Sequence, residues 1–505
     1  MTVEYVLGVD LGTSSCKTVA FALDGHRVAS ASVAYPTVTD QRGGVRQDPE
    51  MWWAAVQSTI AKVQTVIGAG NLLSIGLSGQ IGTHVLVDGE VRPLADAWTW
   101  QDGGASIALD EFERVLDSAV LGADLRTWLP PGPAWPLPRL LWLTKTFPAH
   151  IARAHYMLQP KDYILHRLTG RIISDSSSLR GVMKPTGEIH RPALDALGLS
   201  DLFPPVGQPT ESAGEILATV ADAISVPRGT RVFIGWNDFN CALVGTGVSA
   251  TGDGFDIAGT SEHIGILGRE PVTDGSINSV PYSMATEADS YVSYGVSSNG
   301  GSVTAWLGDT YLANLESADR NGRLAVLASG TEPASDGLMF LPYLHGERSP
   351  IWDSSATASY TGLTSSHGLG HMVRAALEGV AFNLRQIRDA SPDNVERASL
   401  IRASGGPTAM HVWNSIKADV LNTPLAIMEE KDSAALGAAI LAVVGSGLFP
   451  SPAAAMSAMT RIEYVVEPNL QTAARYEAAY QRYSTIYPAL AQGQPTDTRS
   501  ERYAS

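Results

Sequence analysis

Cysteine is nearly missing from this chain of 505 residues, which has two, Cys16 and Cys241. Thiols so far apart and without Cys-x-x-Cys spacing exclude a disulfide framework and a cysteine zinc site, and they point to a reducing compartment. Long apolar runs are lacking as well. The longest small-apolar stretch, residues 434–449, is interrupted by three glycines and a serine. It falls short of the roughly 20 residues a membrane span needs and reads as a buried helix. Positive charge is scarce, with 35 Lys and Arg against 51 Asp and Glu, a net charge of -16, and no basic block. That balance offers no footprint for nucleic acid or an anionic membrane and favours a small-molecule or protein partner. Glu4 and Asp10 interrupt the apolar N-terminal stretch, which therefore reads as a first strand and not as a signal-peptide core, and the expected location is the cytoplasm.

Several catalytic signatures are absent too. No Gly-x4-Gly-Lys-Ser/Thr occurs, which excludes a P-loop, and neither His-Glu-x-x-His nor Gly-x-Ser-x-Gly is found. Gly245-Thr-Gly-Val-Ser-Ala250 fits a dinucleotide fingerprint only loosely and follows a helix-like segment instead of a strand.

What is present is a globular composition, 44% hydrophobic, in a chain too long for one ordinary core, so two domains are expected. Residues 3–9 form an apolar run ending at Asp10, followed by Leu11-Gly-Thr-Ser-Ser15 and a second β-rich run over 17–23. The same arrangement returns half a chain later, where Gly254-Phe-Asp-Ile-Ala-Gly-Thr-Ser-Glu262 leads into His263-Ile-Gly-Ile-Leu-Gly268. Two halves of related design follow from that repeat. Asp48-Pro49 opens a helix running to Ile67, and 73–78 reads as a short buried strand. Five prolines in residues 129–138 exclude a helix there, with helical sequence starting at Arg139. A further strand covers 231–235, and helices are expected over 370–385, 409–421 and 433–444. The domains are read as 1–245 and 246–490, with a polar tail at 491–505.

Candidate chemistry collects in the turns. In Asp10-Leu-Gly-Thr-Ser-Ser15, a carboxylate at a strand end can hold Mg²⁺ while backbone N–H groups and the hydroxyls of Thr13 and Ser14 receive a phosphate, with Lys17 nearby; an ordinary hairpin turn is the other reading. Gly259-Thr260-Ser261 offers a second phosphate clamp, or a plain glycine turn. Asp238, after Gly235-Trp-Asn, can accept a proton from a substrate hydroxyl or cap a helix. Gly405-Gly406 can admit a planar base to the backbone, or form a tight strand-to-helix turn. Trp52, Trp53, Trp98, Trp100 and Trp236 lie near these segments in sequence, where an indole can stack on a sugar or simply fill a core. His84 and His263 are lone histidines to which no catalytic role is given.

Taken together and in order, these segments resemble the FGGY carbohydrate kinase family over nearly the whole length, and most of all its xylulokinase branch. The resemblance is carried by Asp10-Leu-Gly-Thr-Ser-Ser15, Gln47-Asp-Pro-Glu-Met-Trp-Trp53, Ile75-Gly-Leu-Ser-Gly-Gln80 and Gly235-Trp-Asn-Asp238. Further on, Phe340-Leu-Pro-Tyr-Leu-His-Gly-Glu-Arg-Ser-Pro350, Ala358-Ser-Tyr-Thr-Gly-Leu363, His371-Met-Val-Arg-Ala-Ala-Leu-Glu378, Ser404-Gly-Gly-Pro407 and Ser433-Ala-Ala-Leu-Gly-Ala-Ala439 continue it.

The resemblance implies an α/β protein with the actin-like ATPase fold, two ribonuclease-H-like domains flanking a deep catalytic cleft. It implies an ATP- and Mg²⁺-dependent kinase acting on a hydroxyl of a small sugar, a ketopentose such as xylulose, or else another polyol, tetrulose or gluconate-like acid. Asp238 would be the catalytic base, and Asp10 the metal residue. Thr13, Ser14, Lys17, Gly259 and Thr260 would hold phosphates, Gly301, Gly405 and Gly406 the adenosine side, and Gln80, Gly82, Trp100 and Asp102 the sugar side with Asp238. The sequence departs from the branch at Ser78-Gly-Gln-Ile-Gly-Thr83, where Gly82 stands for a sugar-contacting histidine. His84, two residues on, would share its side of a strand and offer a substitute. Trp100-Gln-Asp-Gly-Gly104 lacks a following arginine, and Arg139 replaces a signature lysine. A partner-driven actin-like ATPase and a lapsed sugar-binding regulator are rival readings, the first opposed by Asp238 with the sugar-side Ser-Gly-Gln and Trp-x-Asp segments, the second by the retained Asp10 and Asp238. The oligomeric state is not fixed by the sequence, and a homodimer is compatible with it.

Overall fold

Tyr5–Leu11 (β1) is apolar on both faces, the mark of a strand enclosed within a layered α/β unit. The computed structural model describes residues 4–40, 43–68, 71–116, 132–184, 188–273, 275–391 and 397–491. β1 turns back at Gly12–Ser14 into Ser15–Ala22 (β2), which pairs antiparallel with Arg27–Ala34 (β3). On its other edge β1 runs parallel to Leu72–Gly79 (β4), so that Asp10 faces both Lys17 and Ser78 in register. Ser212–Glu215 (β5), Arg231–Phe233 (β6) and Trp236–Asn237 (β7) complete a seven-stranded sheet, in the order β5-β6-β4-β1-β2-β3 with β7 also on β4. The helix Pro49–Ile67 covers one face, capped by the Asp48 carboxylate as its sequence predicts.

The second unit repeats the plan. Gly254–Ala258 (β8) and Glu262–Gly268 (β9) form its hairpin, Asn278–Pro281 (β10) and Tyr291–Ser297 (β11) extend the antiparallel side, and Ile401–Ser404 (β12) and Leu425–Met428 (β13) add parallel strands. With Ile462–Val466 (β14) the order is β10-β11-β9-β8-β12-β13-β14. In each unit a turn-linked hairpin sits at mid-sheet with a parallel strand beside it, which is the relation the repeated Gly-Thr-Ser pattern predicts.

The compact units comprise Met1–Ser249, Met284–Thr286 and Asp432–Arg461 in the first, and Ala250–Ser283, Glu287–Lys431 and Ile462–Ser505 in the second. The sequence reading put residues 246–490 into the second domain, whereas residues 432–461 pack with the first unit. The helix Ser433–Gly445 buries residues on nearly every face and needs cover all round. It packs on β1, β4 and the helix Asp238–Thr246, where a Cβ at Gly8 or Gly76 would stand 1.9 Å from the carbonyl oxygen of Ala435 or Ala438. A second difference concerns the proline-rich stretch. Its residues 129–131 lie outside the described set, but a helix already starts at Pro136, because first-turn prolines have no N–H that an intrahelical bond would need. The tail beyond Ala491 also lies outside the described residues. Among the described residues no helix is long and apolar enough to cross a membrane.

Candidate active site

Two carboxylates of the first unit, Asp10 and Asp238, are both raised above the usual range. Asp10 accepts a hydrogen bond from Ser78 Oγ at 2.7 Å, and desolvation raises its carboxyl above the usual range; Ser78 and Lys17 oppose the rise while the charge of Asp432 adds to it. Asp238 is partly exposed at the start of the helix Asp238–Thr246. Its alternative role as a cap is taken by Asn237, whose Oδ1 accepts from Asn240 N at 2.9 Å. Asp238 Oδ1 accepts from Phe239 N at 2.9 Å, yet desolvation and then the charge of Asp10 push its carboxyl up to about 7. A base with that affinity is half ionised near neutrality.

A closed hydrogen-bond ring ties the first turn to neighbouring segments. Gln47 Nε2 donates to Thr13 O at 2.6 Å, Gln80 Nε2 to Gln47 Oε1 at 2.9 Å, and Thr83 Oγ1 to Gln80 Oε1 at 3.1 Å. Trp100 N donates to Thr83 Oγ1 at 3.1 Å, and its indole Nε1 closes the ring on Thr13 Oγ1 at 3.0 Å. Trp100 is 39% exposed, whereas Trp52, Trp53, Trp98 and Trp236 are buried, so the core reading holds for those four. Ser14 is exposed at the tip of the turn. Lys17 is ion-paired with Asp432, which also receives Arg27 at 2.7 Å.

Gly82 has φ +80°, a conformation that disfavours any Cβ, and one placed there would lie 3.1 Å from Ala134 Cβ and 3.3 Å from Trp100 Cβ. It sits in a bend before the strand, so the alternation that would put His84 on its side does not apply. His84 is instead fully buried and pushed down to about 3 by desolvation and then by Arg139, hence neutral. His263 is likewise pushed down to about 3. Asp102 is withdrawn from solvent, and each of its oxygens accepts two bonds: Oδ1 from Arg139 at 2.7 Å and Gly104 N at 3.0 Å, Oδ2 from Val45 N at 2.9 Å and from Arg46. Burial would raise this carboxyl, but Arg139, Val45 N–H and Arg46 together hold it below the usual range.

In the second unit the chain brings its three glycine segments together. Gly301 N donates to Gly259 O at 2.8 Å, Gly300 N and Ser302 N donate to Thr260 O at 3.0 and 3.1 Å, and a Cβ at Gly405 would meet Ala258 O at 1.9 Å. Gly259 and Thr260 are exposed, and open space surrounds Gly406. Beneath this loop Lys417 Nζ is buried between Asp256 Oδ2, at 2.9 Å, and Glu262.

Sequence reasoning missed Gln47's part in the ring, the Arg46–Asp102–Arg139 clamp and Lys417. The last had a faint signal, since a lysine amid Trp413, Ile416, Val420 and Leu421 needs a buried counter-charge.

Among the described residues no group of three His, Cys, Asp or Glu forms a metal cage. A lone carboxylate such as Asp10 is the kind of oxygen donor that would suit Mg²⁺, a hard cation that binds through few protein ligands.

Comparison with known proteins gives a consistent picture. Residues 5–245 match the model for the N-terminal domain of the FGGY family of carbohydrate kinases, and residues 256–446 match the model for its C-terminal domain. The xylulose kinase of Bacillus subtilis (strain 168) is 28% identical over 96% of this chain and 97% of its own. Two solved structures from Lactobacillus acidophilus, a gluconate kinase and a ligand-bound xylulose kinase, each superpose with a TM-score of 0.87 at 27% identity, covering 97% of this chain and 99% of theirs.

Proposed function

The chain belongs to the FGGY family of carbohydrate kinases, and from that premise we propose that it transfers the γ-phosphate of ATP to a hydroxyl of a small sugar, a ketopentose such as xylulose. The observation that carries the proposal is the partly exposed Asp238 carboxylate, pushed up to about 7 and free of the capping duty that Asn237 performs. Its oxygen takes the proton of the attacking hydroxyl, which raises the nucleophilicity of that oxygen as the new bond to the γ-phosphorus forms and the bond from that phosphorus to the bridging oxygen breaks, releasing ADP. Thr13, Ser14 and Lys17 in the first unit, and Gly259 and Thr260 in the second, hold phosphates. Lys17 leaves Asp432 to do so. Gly301, Gly405 and Gly406 line the adenosine. Gln80, Gly82 and Trp100 form the sugar side, with Asp102 keeping Arg46 and Arg139 in place behind them. Asp10 would hold Mg²⁺, which when bound would neutralise charge on the phosphates. The two buried free thiols and the need for ATP suit the cytoplasm.

The gluconate kinase match, as good as the xylulose kinase one, supports a sugar acid as the alternative acceptor. ADP release with Mg-ATP over a panel of ketopentoses, tetruloses, polyols and gluconate separates the two. Stimulation by xylulose above the rest is expected. Preference for gluconate replaces the ketopentose, and no stimulation by any acceptor overturns the kinase reading in favour of a partner-driven ATPase or a lapsed binder.

A further inference from the structure

We propose that Ser177 is a positioning residue for Asp238, the point from which the turn carrying that carboxylate is held. The inference rests on the base assignment above. Ser177 lies far from this turn in sequence, yet its hydroxyl is bonded to residues on both sides of position 238. Trp236 Nε1 donates to Ser177 Oγ at 2.6 Å, Asn237 Nδ2 at 2.8 Å and Asn240 Nδ2 at 3.2 Å. A hydroxyl has one hydrogen and two lone pairs, so the three donors share two acceptor positions, with Asn240 the most distant, and the hydroxyl's own hydrogen must point elsewhere.

That hydrogen goes to Asp175 Oδ1 at 2.6 Å. Asp175 is fully buried and is itself fixed by Ser177 N and Ser178 N, each at 3.0 Å, by Ser178 Oγ at 2.6 Å, and by Lys161 Nζ at 3.2 Å. Lys161 is shared with Asp162 at 2.7 Å and is equally buried. The charge behind Ser177 therefore sets the direction of its O–H bond and turns its lone pairs toward residues 236–240. Asn237 is gripped at both ends of its amide, by Ser177 through Nδ2 and by Asn240 N through Oδ1. Rotation of the first turn of the helix Asp238–Thr246 would break these bonds together. An anchor of this kind acts on the placement of the Asp238 carboxylate against the acceptor hydroxyl, where a displacement of about 1 Å costs on the order of 100-fold in rate.

The test compares Ser177→Ala, Ser177→Thr and Trp236→Phe in the full-length protein, with kcat and both KM values measured alongside thermal midpoints. Ser177→Ala is expected to lower kcat by about 10- to 100-fold and to leave the KM for ATP within about twofold. Ser177→Thr, which keeps the hydroxyl, restores most of kcat. Trp236→Phe, which removes one donor and keeps an aromatic ring, though a smaller one, lowers kcat by a smaller factor and serves if Ser177→Ala does not fold. In an Asp238→Asn background Ser177→Ala adds less than about threefold, because the residue it positions has lost its function. Wild-type kcat in Ser177→Ala and Trp236→Phe overturns the inference, as does the same fold-loss with and without Asp238. If Asp238→Asn collapses turnover while Ser177→Ala does not, only the role of Ser177 falls. If the wild type phosphorylates no acceptor, the base assignment falls and the inference with it.

Discussion

Asp238 holds a proton to higher pH than an ordinary aspartate because desolvation, and then the charge of Asp10, disfavour its ionised form. Its raised affinity has two consequences of opposite sign. Under the proposed function activity needs the carboxylate, so kcat/KM for the acceptor is expected to fall about tenfold per pH unit below about pH 7, and Asp238→Asn should abolish that limb along with nearly all turnover. Stability runs the other way. The folded state binds the proton more tightly than the unfolded chain, so stability falls as pH rises from about 4 to about 7. In metal-free protein Asp238→Asn should therefore be more stable than wild type at pH 8 by about 1–3 kcal/mol, and equal to it near pH 4, as read from denaturant midpoints. A wild type more stable than the variant at pH 8 would contradict the desolvated-carboxylate account. At this scale the sequence marks Asp10, Asp238 and the exposed Trp100 through their place at strand ends and in turns. It is silent on Ser177 and Gln47, because a hydroxyl or an amide gains its meaning from partners tens of residues away.

At the scale of elements, each unit sets a buried lysine with two carboxylates near its loops, Lys161 with Asp162 and Asp175, and Lys417 with Asp256 and Glu262. The Lys417 cluster joins the helix His411–Leu421 to the hairpin of β8 and β9 that carries Gly259 and Thr260. Burial and the charge of Asp256 raise the Glu262 carboxyl, and Lys417 opposes them. Lys417→Met would leave two carboxylates facing each other without their cation. It should cost about 3–5 kcal/mol in urea denaturation, partly recovered by adding Glu262→Gln, and an unchanged midpoint would show that the cluster is not stressed. Elements with a clear period or cap were legible in the sequence, among them the helix behind Asp48 and the two hairpins. The start of a helix at Pro136 was not, because proline content was read as a breaker where first-turn geometry admits it. The return of Ser433–Gly445 to the first unit was hidden for another reason, that a helix apolar on all sides does not say which sheet covers it.

For the molecule as a whole, the repeat of a Gly-Thr-Ser turn half a chain apart became two seven-stranded sheets of like order, and the family match spans both. That much was legible because a repeated strand-turn-strand pattern constrains topology, whereas under the proposed function the identity of the acceptor would depend on a few contacts around Gly82, Gln80 and Trp100. A net charge of -16, with no block of Lys and Arg in the sequence, agrees with an acceptor held by hydrogen bonds. The central claim is phosphoryl transfer from ATP to a sugar hydroxyl with Asp238 as base, and ³¹P NMR of the full-length protein with Mg-ATP and xylulose or gluconate tests it most directly. The account predicts a sugar phosphomonoester appearing in step with ADP, suppressed by at least about a thousandfold in Asp238→Asn. Inorganic phosphate as the product, with either sugar, or a phosphomonoester formed equally fast by Asp238→Asn, would contradict it.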